Sequence, residues 1–85
     1  MLTFPNRSRS FDEERQGVRF TAYDGMFEVP FLVEAAALQR DGPPVSEDTC
    51  LAAFDAERAS IHEAALRIYQ GHRATIYVIG STDLL

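Results

Sequence analysis

Residues 18–33 carry the most restrictive pattern in the chain. Val18, Phe20 and Ala22 alternate with Arg19, Thr21 and Tyr23, the two-residue period of a strand with one buried face. Asp24-Gly25 follows, and a second apolar-rich run extends from Met26 to Val33. An Asp-Gly pair between two such runs suits a type I′ turn, in which both loop residues take positive φ. With that pair as the loop, Tyr23 opposes Met26, Ala22 opposes Phe27, Phe20 opposes Val29 and Val18 opposes Phe31. The last three pairs are apolar and share one face, while Arg19, Thr21, Tyr23, Met26, Glu28 and Pro30 share the other. In this register Arg19 meets Pro30 at a hydrogen-bonded position, where proline has no N–H to give, so the pattern predicts a break or bulge there.

The flanking segments complete an α+β arrangement. Arg9 to Phe11 reads as a short strand ahead of the hairpin. An alanine-rich stretch from Val33 or Glu34 to Arg40 reads as a short helix stopped by Asp41-Gly42 and Pro43-Pro44. Ser46 suits the N-cap of a second helix, with Glu47 and Asp48 in its positive first turn and Val45 placed to pack on Cys50. That helix is expected to run from Glu47 to Gln70 and stop at Gly71, a length of ~36 Å at 1.5 Å per residue. Cys50, Phe54, Ile61, Ala65 and Ile68 form its apolar stripe, widened by Leu51, Leu66 and Tyr69. Residues 73–79 read as a final strand, and Ile76-Tyr77-Val78-Ile79 is apolar on both faces, as in a strand covered on both sides. The expected fold is a small antiparallel sheet packed on one face by helices 34–40 and 47–70. Its strands are hairpin 17–33, strand 73–79 and the short N-terminal strand, and residues 1–85 form a single domain.

Length and charge narrow the function classes. Eighty-five residues bury only about 60–65% of the surface of the unfolded chain, so the core is thin. Cys50 is the sole cysteine, which removes any intrachain disulfide and fits a reducing compartment. No apolar run approaches the ~20 residues of a membrane span, and Met1 to Ser10 lacks the apolar centre of a signal peptide. The expected location is the cytoplasm, with no membrane partner. The net charge of −5 works against non-specific attraction to phosphate backbones, although Arg7, Arg9, Arg15 and Arg19 cluster in the first quarter.

Few residues point to chemistry. Glu57 falls within the apolar stripe and must be paired, protonated or near the rim; the plain reading is a rim carboxylate held by an arginine such as Arg19, and the sharper one is an interface ion pair or a carboxylate that binds something. His62 and His72 lack a neighbouring nucleophile or a zinc-ligand spacing. Cys50 sits near a helix N-terminus but on the apolar stripe, so buried packing is expected. No glycine-rich phosphate loop, metal motif or carboxylate pair is present. Catalytic, cofactor-binding and metal-binding residues are therefore assigned to none, and no small-molecule ligand is indicated. The expectation is a non-enzymatic protein-interaction module, a homodimer or an adaptor for another protein. Its candidate surface is the sheet face bearing Arg19, Thr21, Tyr23, Met26, Glu28 and Tyr77, since arginine and tyrosine suit protein interfaces. The alternative is a small transcriptional regulator contacting nucleic acid through Arg7, Arg9, Arg15 and Arg19, a reading that the net charge disfavours.

Leu2-Thr3-Phe4-Pro5-Asn6, Val18-Arg19-Phe20, Phe54-Asp55 with Arg58 and Ile61, and the Tyr69 to Tyr77 tail resemble the bacterial "domain of unknown function 1488" family over nearly the whole chain. The resemblance implies a small α+β fold with an antiparallel sheet and a long helix. Some members are labelled transcriptional regulators. The family supplies no catalytic or ligand-binding residues to carry over.

Overall fold

Two residues, Gly25 and Met26, form the tip of the central hairpin, and the sheet grows outward from it. The computed structural model describes residues 2–5, 7–38, 46–69 and 75–84. Its elements are β1 (Leu2–Thr3), β2 (Ser10–Asp12), β3 (Gly17–Asp24), β4 (Phe27–Glu34), α1 (Ala35–Leu38), α2 (Glu47–Ala56), α3 (Arg58–Ile68), β5 (Tyr77–Ile79) and a closing 3-10 turn (Ser81–Leu84). The α+β expectation holds, with helices packed on a small sheet.

The hairpin register differs from the predicted one by two residues. Asp24 pairs with Phe27, Ala22 with Val29, Phe20 with Phe31 and Val18 with Val33, without interruption to Gly17–Glu34. Positive φ occurs at Gly25, at 64°, and not at Asp24 or Met26. That is the demand of a type II′ turn, with glycine first in the loop, and not of the expected type I′. A shift of two residues keeps every side chain on its face, so the division into apolar and polar faces survives. The bulge predicted at Pro30 is absent for the same reason. Pro30 opposes Thr21, a non-hydrogen-bonded pair when Asp24–Phe27 closes the loop, so its nitrogen points away from β3. It points toward the β5 side, where pairing begins only at Phe31.

Both remaining edges depart from a simple meander. On one edge of β3, β1 pairs at Tyr23–Asp24 and β2 pairs at Gly17–Arg19, both antiparallel. On the other side of the hairpin, β5 runs parallel to β4, with Phe31 beside Tyr77 and Val33 beside Ile79. The sheet is therefore mixed, where an antiparallel C-terminal strand was expected. The helices connecting β4 to β5 act as a crossover, which returns the chain in the same direction. The described part of this strand, 77–79, is shorter than the predicted 73–79, and residues 73 and 74 lie outside the described residues.

The predicted 47–70 helix is bent in the middle. Ser46 caps it as expected, its hydroxyl oxygen accepting from the Thr49 N–H at 3.2 Å, with Glu47 and Asp48 in the first turn. At Glu57 the backbone leaves helical values (φ −104°, ψ 14°), and its N–H is shared between the carbonyls of Ala53 and Phe54. Helical bonding resumes with the Ile61 N–H on the Glu57 carbonyl. The bend leaves Glu57 exposed and places Arg58 in the half-buried position beside Phe54. A charged residue on the stripe is thus turned outward, away from Arg19, whose carboxylate neighbour is Asp12. The helix stops expected at Gly42 with Pro43-Pro44 and at Gly71, the Val45 contact with Cys50, and His72 all lie outside the described residues.

One core unites these elements. Val18, Phe20, Ala22, Val29, Phe31 and Val33 from the hairpin meet Cys50 and Phe54 of α2, Ile61, Ala64 and Ala65 of α3, and Tyr77 and Ile79 of β5. Phe20 is its hub, with ring centroids 5.2 Å from Phe31 and 5.4 Å from Phe54. Among the described residues no polar or charged side chain is buried. Cys50 is fully buried, as expected, and burial pushes its thiol pKa up, away from the reactive thiolate.

Candidate functional site

The face of the sheet turned away from the helices is polar by sequence and open in the structure. Cross-strand pairing places Thr21 beside Pro30, Tyr23 beside Glu28 and Arg19 beside Leu32 on that face. The Tyr23 hydroxyl donates to Glu28 Oε1 at 3.3 Å. Leu32 is buried there although it lies outside the core. Its room comes from Gly17: a methyl group added there would sit 3.0 Å from Leu32 Cδ1 and 2.5 Å from the Val33 carbonyl oxygen. Val78, the outward residue of β5, is 47% exposed beside Leu32.

A solvent-open groove of about 330 Å³ crosses this face. Arg19, Thr21, Tyr23 and Pro30 line it from the sheet, and Ser8, Arg9 and Ser10 line it from the N-terminal segment. Three of the predicted surface residues, Arg19, Thr21 and Tyr23, are thus brought together, with Glu28 adjoining. Met26 is not on the strand face: it occupies the loop and is 95% exposed, next to Phe27 at 78%. Tyr77 lies on the opposite side. The parallel register sets it against Phe31, with ring centroids 5.3 Å apart, so it is core and Val78 takes the outward position.

The predicted basic quarter is largely neutralised from within. Arg9 grips Asp55 of α2 through two hydrogen bonds, one to each carboxylate oxygen, of 3.0 and 2.8 Å. Arg58 holds the same carboxylate at 2.8 Å and donates to the Arg7 carbonyl. The hydrogen bonds from Arg9, and then Arg58, hold the Asp55 pKa below the usual carboxylate range. Arg15 pairs with Asp12 at 3.3 Å, and Asp12 also accepts from the Arg15 backbone N–H, the leading cause of its lowered pKa. Arg19 approaches Asp12 only to 3.9 Å, at the outer limit of an ion pair. The Arg7 side chain is exposed.

The N-terminal segment is held toward the helices. Phe4 stacks on His62 of α3 at 3.9 Å with rings 6° apart, and Arg7 and Arg9 bind the α2–α3 junction as described. Burial, with the charges of Arg58 and Arg7 behind it, lowers the His62 pKa. His62 thus has a packing role, against Phe4 and Phe20. At the other end of the hairpin the Tyr69 hydroxyl donates to Asp24 at 2.5 Å, lowering the pKa of that carboxyl. Neither the Arg9–Asp55–Arg58 cluster nor the Ser8–Ser10 wall of the groove was foreseen from sequence. Arg9 lies 46 positions from Asp55, and Ser8 to Ser10 lie in a segment without periodicity.

Among the described residues no group of three or more His, Cys, Asp and Glu stands together to hold a metal ion. No described helix is long and apolar enough to cross a membrane. A family model described as "Protein of unknown function (DUF1488)" matches residues 2–79. No curated protein matches the chain. No solved structure matches it either.

Proposed function

The chain belongs to the DUF1488 family of proteins of unknown function, and we propose that it is a non-enzymatic protein-interaction module of the cytoplasm that binds through the helix-free face of its sheet. One observation carries this reading: an arginine–tyrosine groove lies on a face that the helical layer leaves open. Arg19 and Tyr23 are residue types enriched in interfaces, and both stand where a partner can reach them. Exposed Val78 borders the face, and exposed Met26 and Phe27 project from the hairpin tip beyond it. The partner is a second copy of the chain or another protein. Nucleic acid is the weaker partner class, because Arg9, Arg15 and Arg19 each face a carboxylate and the net charge is −5.

The test is site-specific photocrosslinking in cells, with the photoreactive side chain at Tyr23 and, as a control, at exposed Glu63 on α3. A discrete protein adduct from position 23, absent from position 63 and lost in an Arg19→Ala background, supports the reading. The adduct mass separates a homodimer from another protein. Equal labelling from both positions overturns it.

A further inference from the structure

The open face of the sheet is complementary to itself. Cross-strand pairing arranges it in rows, and the rows on either side of Thr21–Pro30 differ in charge. One row runs Ser10, Arg19, Leu32 and Val78, and carries a cation. The other runs Thr3, Tyr23 and Glu28, and carries an anion beside an aromatic ring. Each lies two residues along the strand from the Thr21–Pro30 row, or about 7 Å. The residues that bear the contrast are accessible, Arg19 and Glu28 being exposed and Tyr23 half-buried. Asp12 does not occupy Arg19 fully. Its shorter bonds, of 3.0 and 3.3 Å, go to the Arg15 N–H and guanidinium, whereas the Arg19 contact is 3.9 Å and leaves that side chain 46% exposed. A guanidinium carries five N–H donors, so it can meet a second carboxylate beside the first.

Symmetry and charge together select the occupant. Two copies related by a two-fold axis and stacked face to face have that axis in the interface plane. An axis parallel to the strands sets each row against itself, so Arg19 approaches Arg19 of the other copy and Glu28 approaches Glu28. An axis across the strands, along the Thr21–Pro30 row, exchanges the rows. Arg19 of each copy then lies over Tyr23 of the other, and Glu28 of each lies over Leu32, the row neighbour of Arg19. The guanidinium meets a ring face and a carboxylate together, and symmetry makes the contact twice. The ~30° angle between stacked sheets moves these residues by only about 4 Å, within the span of an arginine side chain. Resting on the reading of this face as a protein-binding surface, we propose that its partner is a second copy of the chain, docked face to face about a two-fold axis along Thr21–Pro30. Ser10 of one copy opposes Thr3 of the other, and these small side chains admit close approach. The groove along Ser8 to Ser10 receives the Tyr23 ring of the other copy. With eight residues in β3 and a width of four strands, the face measures ~26 by ~19 Å, or ~500 Å². That is below the ~800 Å² per partner of a standard interface, so the dimer is weak and reversible.

The experiment is sedimentation equilibrium of the full chain and of two charge reversals, Arg19→Glu and Glu28→Arg, up to about 1 mM protein. The expected result is a monomer–dimer equilibrium with a dissociation constant on the order of tens of micromolar. Each reversal alone sets like charges against each other twice across the axis and weakens association at least about tenfold. An equimolar mixture of the two variants recovers the original association, because the mixed dimer again has opposite charges in both contacts. Recovery between chains cannot arise from altered folding of either variant. Isotope-filtered NOEs from the Tyr23 ring of one copy to Ser10 or Arg19 of the other read the same contact in the unsubstituted protein. A monomer throughout the concentration range overturns the proposal, as does a dimer that ignores the reversals or fails to recover on mixing. A monomer whose position-23 photocrosslink captures a different protein overturns the dimer alone and leaves the wider reading of the face standing.

Discussion

The two faces of the hairpin are built from the same strands and differ in nearly everything else. On the inner face Val18, Phe20, Ala22, Val29, Phe31 and Val33 are all buried against helices. On the outer face Arg19, Thr21, Tyr23 and Glu28 stay accessible, and Leu32 alone is sealed, in the space above Gly17. The difference teaches that stability and binding can be separated within one sheet. Inner residues are constrained by volume, whereas most outer residues are free to vary for a partner, except where they touch the backbone of β4.

Three substitutions or conditions test that division. The largest effect is expected for Phe54→Ala, which empties a fully buried ring site beside Phe20 and removes the surface over which the Arg58 guanidinium lies at 4.9 Å. Urea unfolding should show a loss of about 3–5 kcal/mol, a large part of what a domain this size possesses. A loss under about 1 kcal/mol would mean that α2 is not a structural partner of the sheet. Next comes Gly17→Ala, the exception on the outer face. Its new methyl group meets the Val33 carbonyl oxygen at 2.5 Å, and the crowding should lower stability by about 1–3 kcal/mol. A neutral result would show that β4 yields there and that the outer face tolerates substitution even at Gly17.

The smallest effect concerns the seam between the N-terminal segment and α3. His62 has its pKa lowered by burial and by Arg58 and Arg7, so the folded state takes up its proton later than the unfolded chain as pH falls. Stability is therefore full above the ordinary histidine value of about 6.5, declines below it, and levels off beneath the depressed folded value. A modest fall in Tm between neutral pH and the levelling point, lost in His62→Gln, is the expected outcome. If the variant keeps the slope, another group is responsible. Below that window, Asp12, Asp24 and Asp55 carry lowered pKa values, so the stability they contribute disappears as pH falls through those values.

The candidate site was legible in part. Arg19, Thr21 and Tyr23 share a face by period alone, and the groove there includes all three. Tyr77 was misplaced because an apolar run on both faces gives no parity, and only the pairing of Phe31 with Tyr77 assigns it inward. Met26 was read as a strand residue because Asp24-Gly25 and Gly25-Met26 are both plausible loops. The contacts that settle the register are distant ones: Tyr69 on Asp24, and large apolar pairs stacked row by row.

What the sequence determined by itself, then, is what depends on neighbours along the chain: the two-residue period that sorts the hairpin faces, the Ser46 cap, the apolar stripe of the helices and the need for glycine at the turn. The tertiary structure alone decided the remaining features. β5 lies parallel to β4, the helix bends at Glu57 so that Arg58 reaches Asp55 and Arg7, and β1 and β2 pair with separate stretches of the same edge of β3. Each of these balances contacts between residues far apart in sequence, and local propensity carries no information about such a balance.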